Sequence, residues 1–244
     1  MLNPKMNKLF PIVILAGGLA TRLGSLSKTT PKSMILVNEE PFIAHQLRLL
    51  KNQGFERVIL CIGYLGDLIR EYVKNGKQFG LSVTYSNDGK KLLGTAGAIK
   101  NALSIIEENF FVLYGDSYLM VDYKNIQKVF EKQKKPVLMS VFKNNDTGDV
   151  SNIEIVDTQI IQYDKKNKTN NMSYIDYGLS LFTGSIFLNN EWSDLSDLYR
   201  KLIEENQLAC YEVFQRFYEI GSLNGLSEFK KLMREKKASL CPII

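Results

Sequence analysis

The sequence predicts an α/β fold: a doubly wound, mostly parallel, Rossmann-like sheet with a β-hairpin subdomain in its second half. Three observations carry this expectation. The short continuous apolar runs Ile12 to Leu15, Val58 to Ile62 and Phe110 to Tyr114 have the character of strands covered on both faces. Stretches with helical spacing of apolar residues separate them, the alternation that builds a parallel sheet. After Val137 to Phe142 the pattern changes to short β-like runs joined by polar turns.

Each element can be justified in order. Ile12 to Leu15 is a strand opening onto a glycine-bearing loop. Phe42, Ile43, Leu47 and Leu50 give helical spacing, and Gly54 ends that helix. Val58 to Ile62 is a strand, and Leu68, Ile69, Tyr72 and Val73 mark a helix stopping near Gly76. Leu81 to Tyr85 alternates as a strand, Ala96 to Ile106 reads as a helix, and Phe110 to Tyr114 is a buried strand. Right-handed βα crossovers place the loops after Leu15 and Tyr114 at the same sheet edge. Asn152 to Val156, Gln159 to Tyr163 and Tyr174 to Phe182 read as hairpins laid against the sheet. A helix from Leu195 to Glu205, a short strand from Phe217 to Ile220 and a charged helix from Leu226 to Lys236 complete the order. The 244 residues are expected to form one domain, 1–244, with parts at about 8–135, 136–222 and 223–237.

Composition narrows the function classes. With 45% apolar and 23% charged residues the chain has the content of an ordinary globular protein. The net charge of +5 is modest and the lysines are interspersed with acids, so no nucleic-acid partner is expected. No apolar run reaches membrane-spanning length, and none is expected to engage a membrane. Three cysteines without ligand spacing exclude a zinc site and a disulfide framework, which fits a reduced, cytoplasmic location. The one histidine, His45, lies within a helix without a second ligand and reads as structural. A homo-oligomer is compatible with the sequence.

The stretch from Ile14 to Leu23, followed by Thr30-Pro31-Lys32-Ser33, is the most informative. Leu15, Ala16, Gly17 and Gly18 let backbone N–H groups approach a ligand closely, and Arg22 and Lys32 add two cations. No carboxylate falls between Ile12 and Asn38. Bare amides and positive charge at a strand's C-terminal end form a phosphate cradle. A P-loop is excluded because no Gly-Lys-Ser/Thr occurs, and a dinucleotide fingerprint is excluded because Arg22 stands where tight packing is wanted.

These residues resemble the signature of the sugar-1-phosphate nucleotidyltransferases, Leu-Ala-Gly-Gly-x-x-(Thr/Ser)-Arg-Leu followed by Pro-Lys. The single-domain bacterial enzymes acting on mannose-, heptose- or N-acetylmuramate-1-phosphate look most similar. Leu93-Gly94-Thr95-Ala96-Gly97-Ala98 and Tyr114-Gly115-Asp116 match further motifs in the family's order. The resemblance implies an enzyme that joins a nucleoside monophosphate from an NTP to a sugar-1-phosphate with release of pyrophosphate, for bacterial surface-glycan or cell-wall metabolism. It implies Mg²⁺ as cofactor, held by Asp116 and by Glu219 of Glu219-Ile220-Gly221-Ser222, where the family carries Asp-x-Gly-(Thr/Ser).

The resemblance further implies Arg22 on the leaving pyrophosphate, Lys32 on the α-phosphate or the incoming phosphate, and the segment 8–135 as the nucleotide side. Gly94 and Thr95 would pack on base or ribose. Asp88, where relatives often have Glu, would accept from the guanine edge, which favours GTP; Asn87-Asp88-Gly89 also reads as a turn. On the acceptor side Lys165 stands at the family's sugar-phosphate lysine, with Lys168 as a competitor, and Asp176 and Gly178 stand at its Asn-x-Gly, which contacts sugar hydroxyls. A uridylyl- or cytidylyltransferase, with a sugar or another phosphate acceptor, is the alternative within this chemistry. A non-catalytic nucleotide-sugar-binding regulatory subunit is the alternative of another class.

Overall fold

A computed structural model describes residues 8–18, 29–89, 91–144, 150–188 and 191–240. β1 (Ile12–Leu15) is followed by a 3-10 turn at Lys32–Met34, by the two-residue strands β2 (Leu36–Val37) and β3 (Glu40–Pro41), and by α1 (Phe42–Gln53). Then come β4 (Arg57–Ile62), α2 (Gly66–Val73), β5 (Ser82–Asn87), α3 (Gly94–Ala102), β6 (Asn109–Tyr114), β7 (Ser117–Tyr118) and α4 (Tyr123–Lys132). The second half holds β8 (Val137–Lys143), β9 (Ile153–Val156), β10 (Gln159–Tyr163), β11 (Tyr174–Thr183), α5 (Leu195–Glu204), β12 (Leu208–Val213), β13 (Tyr218–Glu219) and α6 (Leu223–Leu240).

Among the described residues the main sheet has nine strands. The order is β10-β9-β11-β6-β1-β4-β5, with β8 on the other edge of β11 and β12 beyond it. β6, β1, β4 and β5 are mutually parallel, as their continuous apolar runs predict. Side chains alternate between two buried layers. Ile12 and Ile14 pack with α1, α2 and α4, whereas Val13, Ile59 and Cys61 pack with α3 and α5. The chain runs from β1 to β4 and β5 on one side, then crosses back to β6 on the other. Strand order therefore reverses at the β1–β6 pair, and ligands of such sheets bind in the crevice at that point.

Two elements of the main sheet differ from expectation. Tyr174 to Phe182 does not form a hairpin against the sheet. β11 lies within it, antiparallel to both β6 and β8, because its residues from Tyr177 to Phe182 are buried and fit a strand covered on both faces. Only β9 and β10 make a hairpin, joined to the start of β11 through Tyr174 and Ile153. β12 was not foreseen. It pairs parallel with β8; it opens on the short apolar run Leu208 to Tyr211, but its middle residues are only half-buried. α6 docks through Leu226 and Phe229 onto Tyr118, Ile220 and Phe42, which fixes the short β7–β13 ladder beside the C-terminal edge of the sheet.

Candidate functional site

The C-terminal ends of β1, β4, β5 and β6 line one cavity of about 350 Å³ with Leu15, Ala16, Gly17, Gly18, Asp88 and Asp116 among its walls. Leu15 pairs in register with Tyr114, so the two loops of interest leave adjacent strands side by side. Gly115 N–H donates to Leu15 O at 3.1 Å, and a Cβ on Gly115 would come within 2.4 Å of that oxygen. No other residue permits this approach, which brings Asp116 to the glycine loop. Arg22 lies outside the described residues.

Lys32 Nζ is 2.8 Å from Asp116 Oδ2, an ion pair of two partly buried side chains. Glu219 reaches the same place through β13, where it pairs with Ser117, and Ile220 N–H donates to Asp116 O at 3.0 Å. The three charged groups converge on Gly221. A Cβ there would lie 2.7 Å from Glu219 Oε2, 3.1 Å from Asp116 Oδ2 and 3.3 Å from Lys32 Nζ. Two carboxylates of hard oxygen around a niche that a side chain would fill suit Mg²⁺, which binds through one or two carboxylates and takes its remaining ligands from phosphate and water. Among the described residues no cluster of three or more acidic, His or Cys ligands occurs, so phosphate oxygens and water would complete any such shell. Glu219 is also engaged locally. Its carboxylate accepts from Gly221 N–H, from Ser222 N–H at 3.1 Å and from Ser222 Oγ at 2.5 Å, just before α6.

On the β5 side, Asp88 Oδ2 accepts weakly from Leu93 N–H at 3.3 Å, while Oδ1 is shielded from solvent and accepts no hydrogen bond among the described residues. Burial raises its pKa above the ordinary carboxylate value, and the Leu93 N–H opposes this. A buried oxygen left without a donor is costly.

Gly94 and Thr95 line the cavity too, but their local work is structural. Gly94 has φ 78°, and a Cβ on it would meet Ser193 O at 2.2 Å. Ser193 O accepts from Ala96 N–H at 3.0 Å, and Thr95 Oγ1 accepts from Leu195 N–H at 2.8 Å. The start of α3 is thus stitched to the start of α5, and its first N–H groups are spent on protein. Asp194 and Ser196 join the cavity wall as a result. Neither was singled out from the sequence, because only this stitching brings them there.

Lys165, one residue past Asp164 at the end of β10, lines the cavity; Lys168 lies exposed in the following turn, outside its lining. Lys165 Nζ is 3.2 Å from Tyr114 Oη and 3.4 Å from Asp176 Oδ2. The Asp176 side chain is 2% exposed: Oδ2 accepts from Tyr114 Oη at 2.9 Å and Tyr163 Oη at 3.1 Å, and Oδ1 from Gly178 N–H at 3.0 Å. Asp176 lies outside the cavity lining, and its carboxylate serves protein donors and holds Lys165. The register shift of β11 falls between Asp176 and Ser180, around Gly178, which abuts Tyr114 and Ser117 rather than facing the cavity. His45 is structural: its Nε2 lies 3.1 Å from Val37 O and its ring packs edge-on to Phe229. Burial lowers its pKa.

Residues 12–236 match the nucleotidyl transferase family. The chain belongs to this family. It is 30% identical to D-glycero-alpha-D-manno-heptose 1-phosphate guanylyltransferase of Campylobacter jejuni over 72% of this chain and 76% of that protein. It is 38% identical to the protein of the same name from Aneurinibacillus thermoaerophilus, over 49% of this chain and only 50% of that relative's length. Among solved structures, HddC from Yersinia pseudotuberculosis superposes with a TM-score of 0.79 at 25% identity, covering 92% of this chain and all of that one. HddC has also been solved in complex with GMP-PN. The chain is thus a nucleotidyltransferase enzyme, and the mostly parallel α/β sheet matches that of its relatives. Among the described residues no helix is long and apolar enough to cross a membrane.

Proposed function

We propose that this nucleotidyltransferase transfers GMP from GTP to a sugar-1-phosphate of the mannose or heptose type and releases pyrophosphate. The observation that carries the choice of base is Asp88, which lines the cavity and whose buried Oδ1 has no donor among the described residues. The guanine edge presents N1–H and the exocyclic amine together, two donors for one carboxylate, whereas adenine and uracil present no such pair. The guanylyltransferase relatives support the same reading.

The attacking phosphate oxygen is already ionised, so the protein's task is positioning and charge stabilisation. The loop from Leu15 to Gly18 offers backbone N–H groups to the triphosphate. Lys32 faces the α-phosphate as a point charge, and Arg22, on sequence grounds, neutralises the departing pyrophosphate. Asp116 and Glu219 would hold Mg²⁺, which when bound supplies Lewis-acid charge neutralisation to the phosphates. Lys165, steadied by Asp176 and Tyr114, grips the acceptor phosphate from the other wall. The division into a nucleotide part at 8–135 and an acceptor part at 136–222 follows this assignment.

A uridylyl- or cytidylyltransferase is the second reading within the same chemistry. Pyrophosphate release measured with each of the four NTPs against a panel of sugar-1-phosphates decides between them. GTP with a mannose- or heptose-type acceptor is expected; turnover with UTP or CTP alone overturns the guanine assignment.

A further inference from the structure

Helix α1 spends a fully buried glutamine on the loop that carries Asp116. Gln46 is 0% exposed, and its Nε2 donates to Tyr114 O at 3.2 Å and to Ser117 O at 2.8 Å. These two carbonyls bracket Gly115-Asp116. Two of the backbone groups between them are tied elsewhere: Gly115 N–H to Leu15 O on β1, and Asp116 O to Ile220 N–H beside β13. Gln46 is the side chain that closes this frame from the helical layer.

The arrangement has a cost. Gln46 Oε1 is buried and accepts no hydrogen bond among the described residues. Its neighbours on the same stripe of α1, Ile43, Leu47 and Leu50, are all fully buried and apolar, so a leucine or methionine would serve helix packing better. A polar group kept at such a site is explained by what it holds.

We infer that Gln46 is the positioning residue of the metal-binding loop, setting the aim of the Asp116 carboxylate through the carbonyls on either side of it. This rests on the proposed role of Asp116 in holding Mg²⁺. Partners that orient a ligating carboxylate affect metal affinity nearly as much as the ligands do.

The test is Mn²⁺ binding to the intact protein with GTP, followed by electron paramagnetic resonance, in wild type and Gln46→Met. GTP affinity in the presence of a chelator is measured alongside. The expected result is an affinity for Mn²⁺ about tenfold or more weaker in the variant, with metal-free GTP binding unchanged. Equal Mn²⁺ affinity in a folded variant overturns the inference and leaves the reading of the site intact. If Gln46→Met does not fold, Gln46→Glu, which keeps the volume and offers at most one donor, takes its place, and wild-type Mn²⁺ affinity there overturns the inference equally. Wild-type protein that binds no Mn²⁺ with any nucleoside triphosphate removes the proposed metal site itself, and the role of Gln46 with it.

Discussion

The ammonium of Lys165 rests against Tyr114, with Nζ 4.9 Å from the ring centre and 3.2 Å from the hydroxyl. Tyr114 is the last residue of β6, two positions before Asp116, and Lys165 follows β10. One aromatic ring thus ties the proposed acceptor lysine to the strand end that bears the proposed metal ligand. Burial and the neighbouring Asp176 push the Tyr114 pKa far up, so its hydroxyl stays a neutral donor to Asp176 throughout the working pH range.

Removing that cation separates the two substrates kinetically. Lys165→Ala should raise KM for the sugar phosphate and leave KM for the nucleotide little changed. Tyr114→Phe keeps the ring and loses the hydroxyl, so the acceptor KM should rise about fivefold, the equivalent of ~1 kcal/mol for one hydrogen bond. Kinetics with each substrate varied in turn check both, with Lys168→Ala as the comparison. An acceptor effect confined to Lys168→Ala would shift the assignment by one short turn.

Asp116→Asn should lower kcat by about 10²-fold or more, on the scale of one lost charge-stabilising group, and leave the fold intact because the side chain is 28% exposed. Circular dichroism and pyrophosphate release on the same preparation test this. Rates near wild type at saturating Mg²⁺ would remove Asp116 from the metal site.

Asp88 gives a pH signature. Guanine requires the carboxylate form, and burial raises the pKa above that of an ordinary aspartate. KM for GTP should therefore begin to rise, as pH falls, at a higher pH than a solvent-exposed carboxylate would produce. Asp88→Asn should flatten this dependence and weaken GTP selectivity. Because the folded state binds the Asp88 proton more tightly than the unfolded chain, the wild-type group detracts from stability above its raised pKa. The variant should then melt no lower than wild type at neutral pH, and a clear drop in Tm would argue against a strained carboxylate.

Thr95→Val tests the seam between α3 and α5. It deprives the N–H of the buried Leu195 of its acceptor, which should cost about 1–3 kcal/mol of stability, read by urea denaturation. A loss of GTP affinity with unchanged stability would instead assign Thr95 a direct ligand contact.

The parallel half of the sheet was legible because strands buried on both faces write themselves as continuous apolar runs, as Val58 to Ile62 and Phe110 to Tyr114 do. The convergence of the glycine loop, Lys32, Asp116 and Glu219 was legible as a motif order, and topology supplies the reason they meet. What escaped were contacts between distant residues that leave no periodic trace. Thr95 reads as a ligand contact, yet its hydroxyl faces a backbone group a hundred positions away. Gln46 did leave a trace: it interrupts an apolar stripe at helical spacing from Phe42, Ile43 and Leu50. A neutral polar residue on a buried stripe is a flag that something across the interface needs it, but only the fold reveals which carbonyls those are. β12 was missed because its apolar run, Leu208 to Tyr211, is only four residues long and closely follows a helix, and a run that short does not by itself tell strand from helix.

The ladder between β6 and β11 runs from Leu113 and Leu179 to Asn109 and Thr183 without a break. Since β11 is antiparallel, its beginning lies beside the end of β6, and Asp176 stands next to Tyr114. Both walls of the cleft are therefore cantilevered from one stiff beam of hydrogen-bonded backbone. A nucleotide and its acceptor cannot be brought together by swinging two lobes about a hinge at this seam; any gating falls to the loops, and amide exchange along β6 and β11 should be slow in the free and the substrate-loaded protein alike.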